Sequence, residues 1–297
     1  MKEEKQCPVV CFGETLWDIL PEGKLPGGAP MNVAYHLNKM GKNPAAITRI
    51  GKDELGEELL HVWQSRKVDT SFFQFDEKVS TGKVYAKSDE NNNMHYDIVQ
   101  PSAWDYIEWK DELLPLIKNA TYFVFGSLVT RNEESRNTLF RCLEFAKIKV
   151  LDINLRTPYY SKEILEELIK RADILKLNLE ELILITSWLG NFENDEERVK
   201  SLQNKFGVNT IIVTKGSAGA MLYVNNVFYY HRGFVVNVAD TVGSGDAFLV
   251  RFIKGLIDRE SYSEILKQAC AMGAFIASKN GACPEYDLSD ISKSISL

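Results

Sequence analysis

Apolar and polar positions along the chain follow two periods in turn. Short apolar runs of buried-strand type occur at Val9-Val10-Cys11-Phe12-Gly13, Asn43 to Ile50, Tyr122 to Phe125, Val150 to Ile153, Ile174 to Leu177 and Thr210 to Thr214. Between or after them lie stretches of helical period at Pro30 to Gly41, Asp53 to Arg66, Glu133 to Lys147, Lys162 to Arg171 and Glu264 to Lys279. Such alternation predicts an α/β fold whose central sheet is mostly parallel and carries helices on both faces. The pattern changes over Phe72 to Phe75, Gly82 to Lys87 and Met94 to Val99, three strand-like pieces of which the last two are joined by a turn around Asp89 to Asn93. With the alternating piece near Asp18 they predict a small β-lid, at roughly residues 14–26 and 72–100, inserted in a single domain over 1–297. Asn225-Asn226 predicts a late hairpin.

The densest chemistry lies in Asp240-Thr241-Val242-Gly243-Ser244-Gly245-Asp246-Ala247-Phe248. Phe234-Val235-Val236-Asn237-Val238 reads as a strand entering it, and Ala247 to Ile253 as a helix leaving it. Gly243 and Gly245 then sit at the joint, where a chain without Cβ bends freely and lets N–H groups crowd close to a ligand. Those first-turn N–H groups have no intrahelical acceptor, so Gly243, Ser244, Gly245 and Asp246 offer amides to an anion or a developing oxyanion. Asp246 falls in the first turn. As a helix-dipole carboxylate it needs no further role; beside free amides it is also a base that can take a proton from a hydroxyl attacking a phosphoryl group.

Charge and cysteines narrow the partners. A formal net charge of −6 and a pI near 5.4, without a run of five or six like charges, turn the expectation from nucleic acid and anionic membranes toward a small solute. The N-terminal residues lack an apolar core and a cleavage site, and no stretch has the length of a membrane span, so the expected location is cytoplasmic. Cysteines 7, 11, 142, 270 and 283 are scattered without a Cys-x-x-Cys pair and read as small buried fillers, and the four histidines form no His-Glu-x-x-His motif. The sequence holds no Gly-x-x-x-x-Gly-Lys-Ser/Thr loop, no Gly-x-Gly-x-x-Gly after a strand and no Gly-x-Ser-x-Gly elbow.

The 240–248 segment resembles the C-terminal signature of the ribokinase, or phosphofructokinase-B, type of sugar kinase, Asp-Thr-x-Gly-Ala-Gly-Asp-Ala-Phe, with Ser244 in place of the commoner Ala. Pro26-Gly27-Gly28-Ala29-Pro30-Met31-Asn32 resembles its N-terminal signature, and Gly13-Glu14-Thr15-Leu16-Trp17-Asp18 and Asp152-Ile153-Asn154-Leu155-Arg156 look most like the fructokinase branch. The likeness runs over nearly the whole chain. It implies a ribokinase-like fold and transfer of the γ-phosphoryl of ATP to the 6-hydroxyl of fructose. Asp246 would be general base, and Asp18, Gly27, Gly28, Asn32 and Arg156 would contact the sugar. It places Asn178, Thr214, Gly216, Gly219 and Asn280 near the nucleotide, gives Glu181 an Mg²⁺ held through water, and allows K⁺ near Asp240 and a homodimer through the lid. Read alone, Asn32 is a helix-start hydrogen bonder, Glu181 a helix-surface acid, Arg156 a salt-bridge partner and Asn280 a helix C-cap. Adenosine or ketodeoxygluconate as acceptor, and a non-catalytic sugar-binding regulator, stay open. Val99 stands where many relatives carry an arginine that could pair with an acidic sugar, which favours a neutral one, although Lys83 and Lys87 could substitute. Val250-Arg251 replace small residues usual in relatives and bear on how closely the central helix packs on its neighbour.

Overall fold

The computed structural model describes residues 7–21, 23–88 and 94–295, without the side chains of 86–88 and 94–96. The turn expected around Asp89 to Asn93 and the side chain of Lys87 lie outside the described residues. The chain divides into two compact units, residues 1–123 with 129–146, and residues 124–128 with 147–297.

In the first unit, strands β1 (Val9–Phe12), β2 (Leu16–Leu20), β3 (Gly23–Gly27), β4 (Ala45–Gly51), β5 (Phe73–Asp76), β6 (Gly82–Ser88) and β7 (Met94–Ile98) accompany helices α1 (Ala29–Lys39), α2 (Glu54–Ser65), α3 (Leu113–Asn119) and α4 (Glu133–Phe145). Strand β8 (Tyr122–Gly126) begins here and ends in the second unit. The ladder runs β8-β1-β4-β5, with β1 to β4 and β4 to β5 parallel. A separate four-stranded sheet, β3-β2-β6-β7, is built from segments in which the lid is expected. One expectation is corrected: the Phe72–Phe75 piece does not belong to the lid but pairs with β4, Thr48 opposite Phe73. Phe73 and Gln74 are buried there, and the Gln74 side chain exchanges hydrogen bonds with the backbone of Glu108, which fixes this edge in the larger sheet. Asp53 caps α2, its carboxylate accepting the Gly56 N–H at 2.8 Å.

The second unit carries β9 (Ile148–Asp152), β10 (Ile174–Asn178), β11 (Thr210–Thr214), β12 (Ala220–Val224) and β13 (Val227–His231), with α5 (Lys162–Arg171), α6 (Leu179–Ser187), α7 (Asp195–Phe206), α8 (Ser244–Ile257), α9 (Tyr262–Ala277) and α10 (Leu288–Ser294). Its order is β13-β12-β11-β10-β9-β8; β9, β10 and β11 are mutually parallel, and β12 and β13 form the expected hairpin on a turn in which Asn225 and Asn226 both have positive φ. The apolar side chains of β10 and β11 are almost wholly inaccessible, as the unbroken apolar runs require.

Two further expectations are corrected. Phe234–Val238 is not a strand: among the described residues no strand pairs with it, and Val235 is fully exposed, so the apolar run finds neither a ladder nor a core. Helix α9 ends at Ala277 with Ser278 as cap, before Asn280, which is exposed and not the C-cap. Helix α8 starts at Ser244, earlier than its apolar face suggested. Its Val250 is fully buried, and close packing on α9 comes from glycines elsewhere: a Cβ at Gly255 would stand 2.6 Å from the Ile265 side chain, and one at Gly273 3.2 Å from the Ser244 carbonyl. Arg251 lies along the helix to pair with Glu260 at 2.8 Å.

Candidate active site

Gly243 is the N-cap of α8 and has φ 76°, a left-handed conformation that a residue with Cβ adopts only at a cost, and a Cβ there would collide with Ala282 at 2.5 Å. Ser244, Gly245 and Asp246 form the first helical turn, and Asp246 is 7% exposed. The turn therefore presents early amides and a carboxylate from one helix start of fourteen residues, with the dipole of the helix behind them.

Gly245 has a different reason to be glycine. A Cβ there would lie 3.3 Å from the ammonium of Lys176, a buried residue of β10. Lys176 Nζ donates to both carboxylate oxygens of Asp152, at 2.8 and 2.7 Å, across the parallel β9–β10 ladder where the two residues are register partners. Burial alone would push the Lys176 ammonium down, but the charge and hydrogen bonds of Asp152, aided by Asp246 and Glu181, hold it above its ordinary value. Lys176 is thus a buried cation. In the sequence, a charge inside the apolar run Ile174-Leu175-Lys176-Leu177 is a signal that a partner must exist, but it does not single out Asp152.

Glu181 is not a surface acid; it is buried. It closes a capping box with Asn178: the Asn178 side chain accepts the Glu181 N–H at 2.9 Å, and Glu181 Oε2 accepts the Asn178 N–H at 2.8 Å. Oε1 accepts the Leu155 N–H at 2.8 Å, so one carboxylate ties the end of β9 to the β10–α6 turn. Burial and then the charge of Asp152 raise the Glu181 pKa, partly offset by these N–H groups. Asn154, with φ 42°, turns the chain beyond β9, and Arg156 is exposed, donating to the Leu155 carbonyl at 3.0 Å.

The remaining residues assigned to the nucleotide end lie in the same unit. Asp240 joins two segments, Oδ1 accepting the Val242 N–H at 3.0 Å and Oδ2 the Gly281 N–H at 3.1 Å, so the stretch after α9 that contains Asn280 is fastened to the α8 approach. Thr214 ends β11 and is followed by the turn at Gly216. Gly216 has φ 56° with open space around it, whereas a Cβ at Gly219 would stand 1.9 Å from the His231 carbonyl. Gly216 suits backbone approach to a ligand; Gly219 is required by its own sheet. The described residues contain no cluster of three or more His, Cys, Asp or Glu arranged for a metal. Each carboxylate oxygen of Glu181 accepts one backbone N–H and keeps a lone pair that could accept from water in an ion's shell.

The residues assigned to the sugar lie in the first unit, except Arg156, which lies in the second. Asp18 on β2 pairs with Leu25 on β3, and a Cβ at Gly27 would meet the Asp18 carboxylate at 2.4 Å. Gly28 has φ 109°, and a Cβ there would run into the Glu14 carbonyl at 2.3 Å. The glycine pair therefore lets β2, with its carboxylate, close on the start of α1, where Asn32 is buried in the first turns beside Pro30 and Met31. The strand end at Val99 is held from below: Arg131 donates to the Val99 carbonyl at 2.8 Å, pairs bidentately with Asp105 at 2.7 and 2.8 Å, and stacks 3.9 Å from the Trp104 ring centroid. This pair, too, escaped the sequence analysis, because its partners are 26 positions apart.

Comparison with known proteins yields a family model, pfkB family carbohydrate kinase, that matches residues 14–287. Fructokinase-2 of Oryza sativa subsp. japonica is 30% identical over an alignment 305 positions long, gaps included, covering 93% of this chain and 90% of the rice protein. Among solved structures, a fructokinase of Xylella fastidiosa with bound ATP superposes with TM-score 0.84 at 22% identity, covering 96% of this chain and 97% of that one. A fructokinase double mutant of Vibrio cholerae O395, in a form with fructose, ADP and potassium ion bound, gives TM-score 0.85 at 23% identity and covers 98% of both chains. These likenesses show the ribokinase-like α/β fold. No helix among the described residues is long and apolar enough to cross a membrane.

Proposed function

Since the chain belongs to the pfkB family of carbohydrate kinases, we propose that it transfers the γ-phosphoryl group of ATP to the 6-hydroxyl of D-fructose. The observation that carries the reading is the helix start at Gly243–Asp246, where a buried carboxylate stands beside early amides of α8. The sugar hydroxyl gives its proton to Asp246 as its oxygen forms a bond to the γ-phosphorus; the bond from phosphorus to the bridging oxygen breaks and ADP leaves. The amides of the turn hold charge on the transferring group. Glu181 would hold the water shell of a Mg²⁺ bound with the nucleotide, and such an ion would supply neutralisation of charge on the phosphate oxygens. Asp240, which binds two segments together, is the residue assigned to a monovalent cation.

A neutral acceptor is supported by the lid. Val99 supplies no cation, and Arg131, whose guanidinium reaches the Val99 carbonyl, is 1% exposed and already engaged by Asp105. Kinetics with a panel of fructose, ketodeoxygluconate and adenosine test the assignment: fructose is expected to give the highest kcat/KM. A higher value for ketodeoxygluconate would overturn the argument from Val99, and turnover with none of the three would favour a non-catalytic sugar-binding regulator.

Asp18→Ala is expected to raise the fructose KM by roughly 10- to 100-fold, because a hydrogen bond to a charged group is worth about 1.5–3 kcal/mol and each 1.4 kcal/mol is tenfold, and Asn32→Ala by roughly 2- to 10-fold for each neutral bond of about 0.5–1.5 kcal/mol that its amide makes. The ATP KM should stay within about threefold, since these residues touch only the acceptor. Unchanged sugar constants in both variants would place the sugar elsewhere.

Glu181→Gln replaces one acceptor oxygen by a donor that must face a backbone N–H, of Leu155 or Asn178. Stability should fall by about 1.5–3 kcal/mol, and the Mg²⁺ concentration for half-maximal rate should rise. A stability loss with an unchanged Mg²⁺ titration would make Glu181 a tie between two turns and nothing more.

A further inference from the structure

Four buried ionisable side chains gather in the second unit: Asp152, Lys176, Glu181 and Asp246 are each between 6% and 7% exposed. Three are carboxyl groups and one is an amine, and the proposed chemistry brings negative charge to the same place. Only Asp246 and Glu181 have a part in the mechanism above. Lys176 meets Asp152, with Nζ 2.8 and 2.7 Å from the two carboxylate oxygens, and also lies beside the α8 turn, where a Cβ at Gly245 would stand 3.3 Å from the ammonium. A lysine ammonium has three donors, and its charge acts through a low-dielectric interior far more strongly than through water.

We infer that Lys176, oriented by Asp152, is a positioning residue for phosphoryl transfer: its buried ammonium lies behind Gly245 and supports the negative charge that the Gly243–Asp246 amides receive. This rests on the kinase reading above. Asp152 fixes the lysine's direction across the β9–β10 ladder, and Gly245 sets its distance from the turn. The charge then counts most when the transferring group carries its greatest charge on the turn, so it acts on kcat more than on sugar binding.

Two substitutions that break the same ion pair separate this role from a structural one. Lys176→Met removes the cation and Asp152→Asn keeps it. With purified full-length protein and saturating ATP, Mg²⁺ and fructose, Lys176→Met should lower kcat about a hundredfold, the scale of losing one donor to a developing charge, with the fructose KM within about threefold. Asp152→Asn should lower kcat less than about fivefold, because the ammonium remains. The double variant, in which both charges are gone and neither is left unpaired, should stay folded and keep the loss of Lys176→Met; it decides the matter where the single lysine variant is unstable. Calorimetry gives a second readout: affinity for ADP with aluminium fluoride, an anionic stand-in for the transferring group, should drop at least about tenfold in the lysine variants while affinity for ADP alone stays level. Equal losses in Lys176→Met and Asp152→Asn, or a double variant with near wild-type kcat, would overturn the inference. A wild type that phosphorylates no sugar would remove the kinase reading itself, and this one with it.

Discussion

Asp246→Asn is expected to keep the protein folded and the sugar bound while kcat falls by roughly 10² to 10⁴, the usual contribution of a general base. The carboxamide is nearly isosteric with the carboxylate, so it fits the buried first-turn position of α8 without moving Gly243 or Gly245. What it lacks is the capacity to accept the hydroxyl proton. Removing a first-turn charge should also cost about 0.3–1 kcal/mol of helix-dipole stabilisation, which is small against the stability of a chain of this size. Fructose affinity, read by calorimetry, should change little because the sugar contacts are assigned to Asp18, Asn32 and the glycine pair. Rapid-quench kinetics give the rate of the chemical step directly. A loss below about tenfold there would show that the proton leaves by another route.

The second large effect is on stability. Asp105→Ala leaves the Arg131 guanidinium, 1% exposed, without its bidentate partner, and also deprives the Ser102 N–H of the Asp105 oxygen it reaches at 2.9 Å. Removing one member of a buried pair typically costs about 3–5 kcal/mol, most of it from stranding the other charge. At roughly 2–4 °C per kcal/mol for larger domains, the melting temperature should fall by roughly 6–20 °C. The effect should reach the lid, since the same guanidinium holds the Val99 carbonyl just beyond β7 and stacks on Trp104. Differential scanning calorimetry with a fructose titration checks both. A melting temperature within about 2 °C of wild type would mean that the region relaxes to hydrate Arg131.

The parallel core was legible because its strands are buried on both faces and read as unbroken apolar runs: Thr210–Thr214 and Lys162–Arg171 were found to the residue. The start of α8 was legible through its glycines and Asp246. The error at Phe234–Val238 came from the same rule, since five residues rich in Val satisfy a strand pattern whether or not a neighbouring strand exists to receive their hydrogen bonds. The Phe72–Phe75 piece was correctly read as a strand but given to the wrong sheet, because a strand's sequence does not say which edge it joins. Pairings across strands were beyond reach for a similar reason. Lys176 and Asp152 are 24 positions apart, and only the β9–β10 register brings them together. The glycines, finally, were identified in sequence but their reasons were not: Gly243 yields to Ala282, Gly245 to Lys176, Gly219 to the His231 backbone and Gly27 to Asp18.

Transfer of a phosphoryl group to one hydroxyl of one sugar is decided by identifying the product. Purified protein incubated with ATP, Mg²⁺ and D-fructose is followed by phosphorus and proton NMR of the same sample. Fructose 6-phosphate is expected, formed in equal amount with ADP. ADP formed with free phosphate, phosphate on another fructose hydroxyl, or no conversion of fructose at all would contradict it.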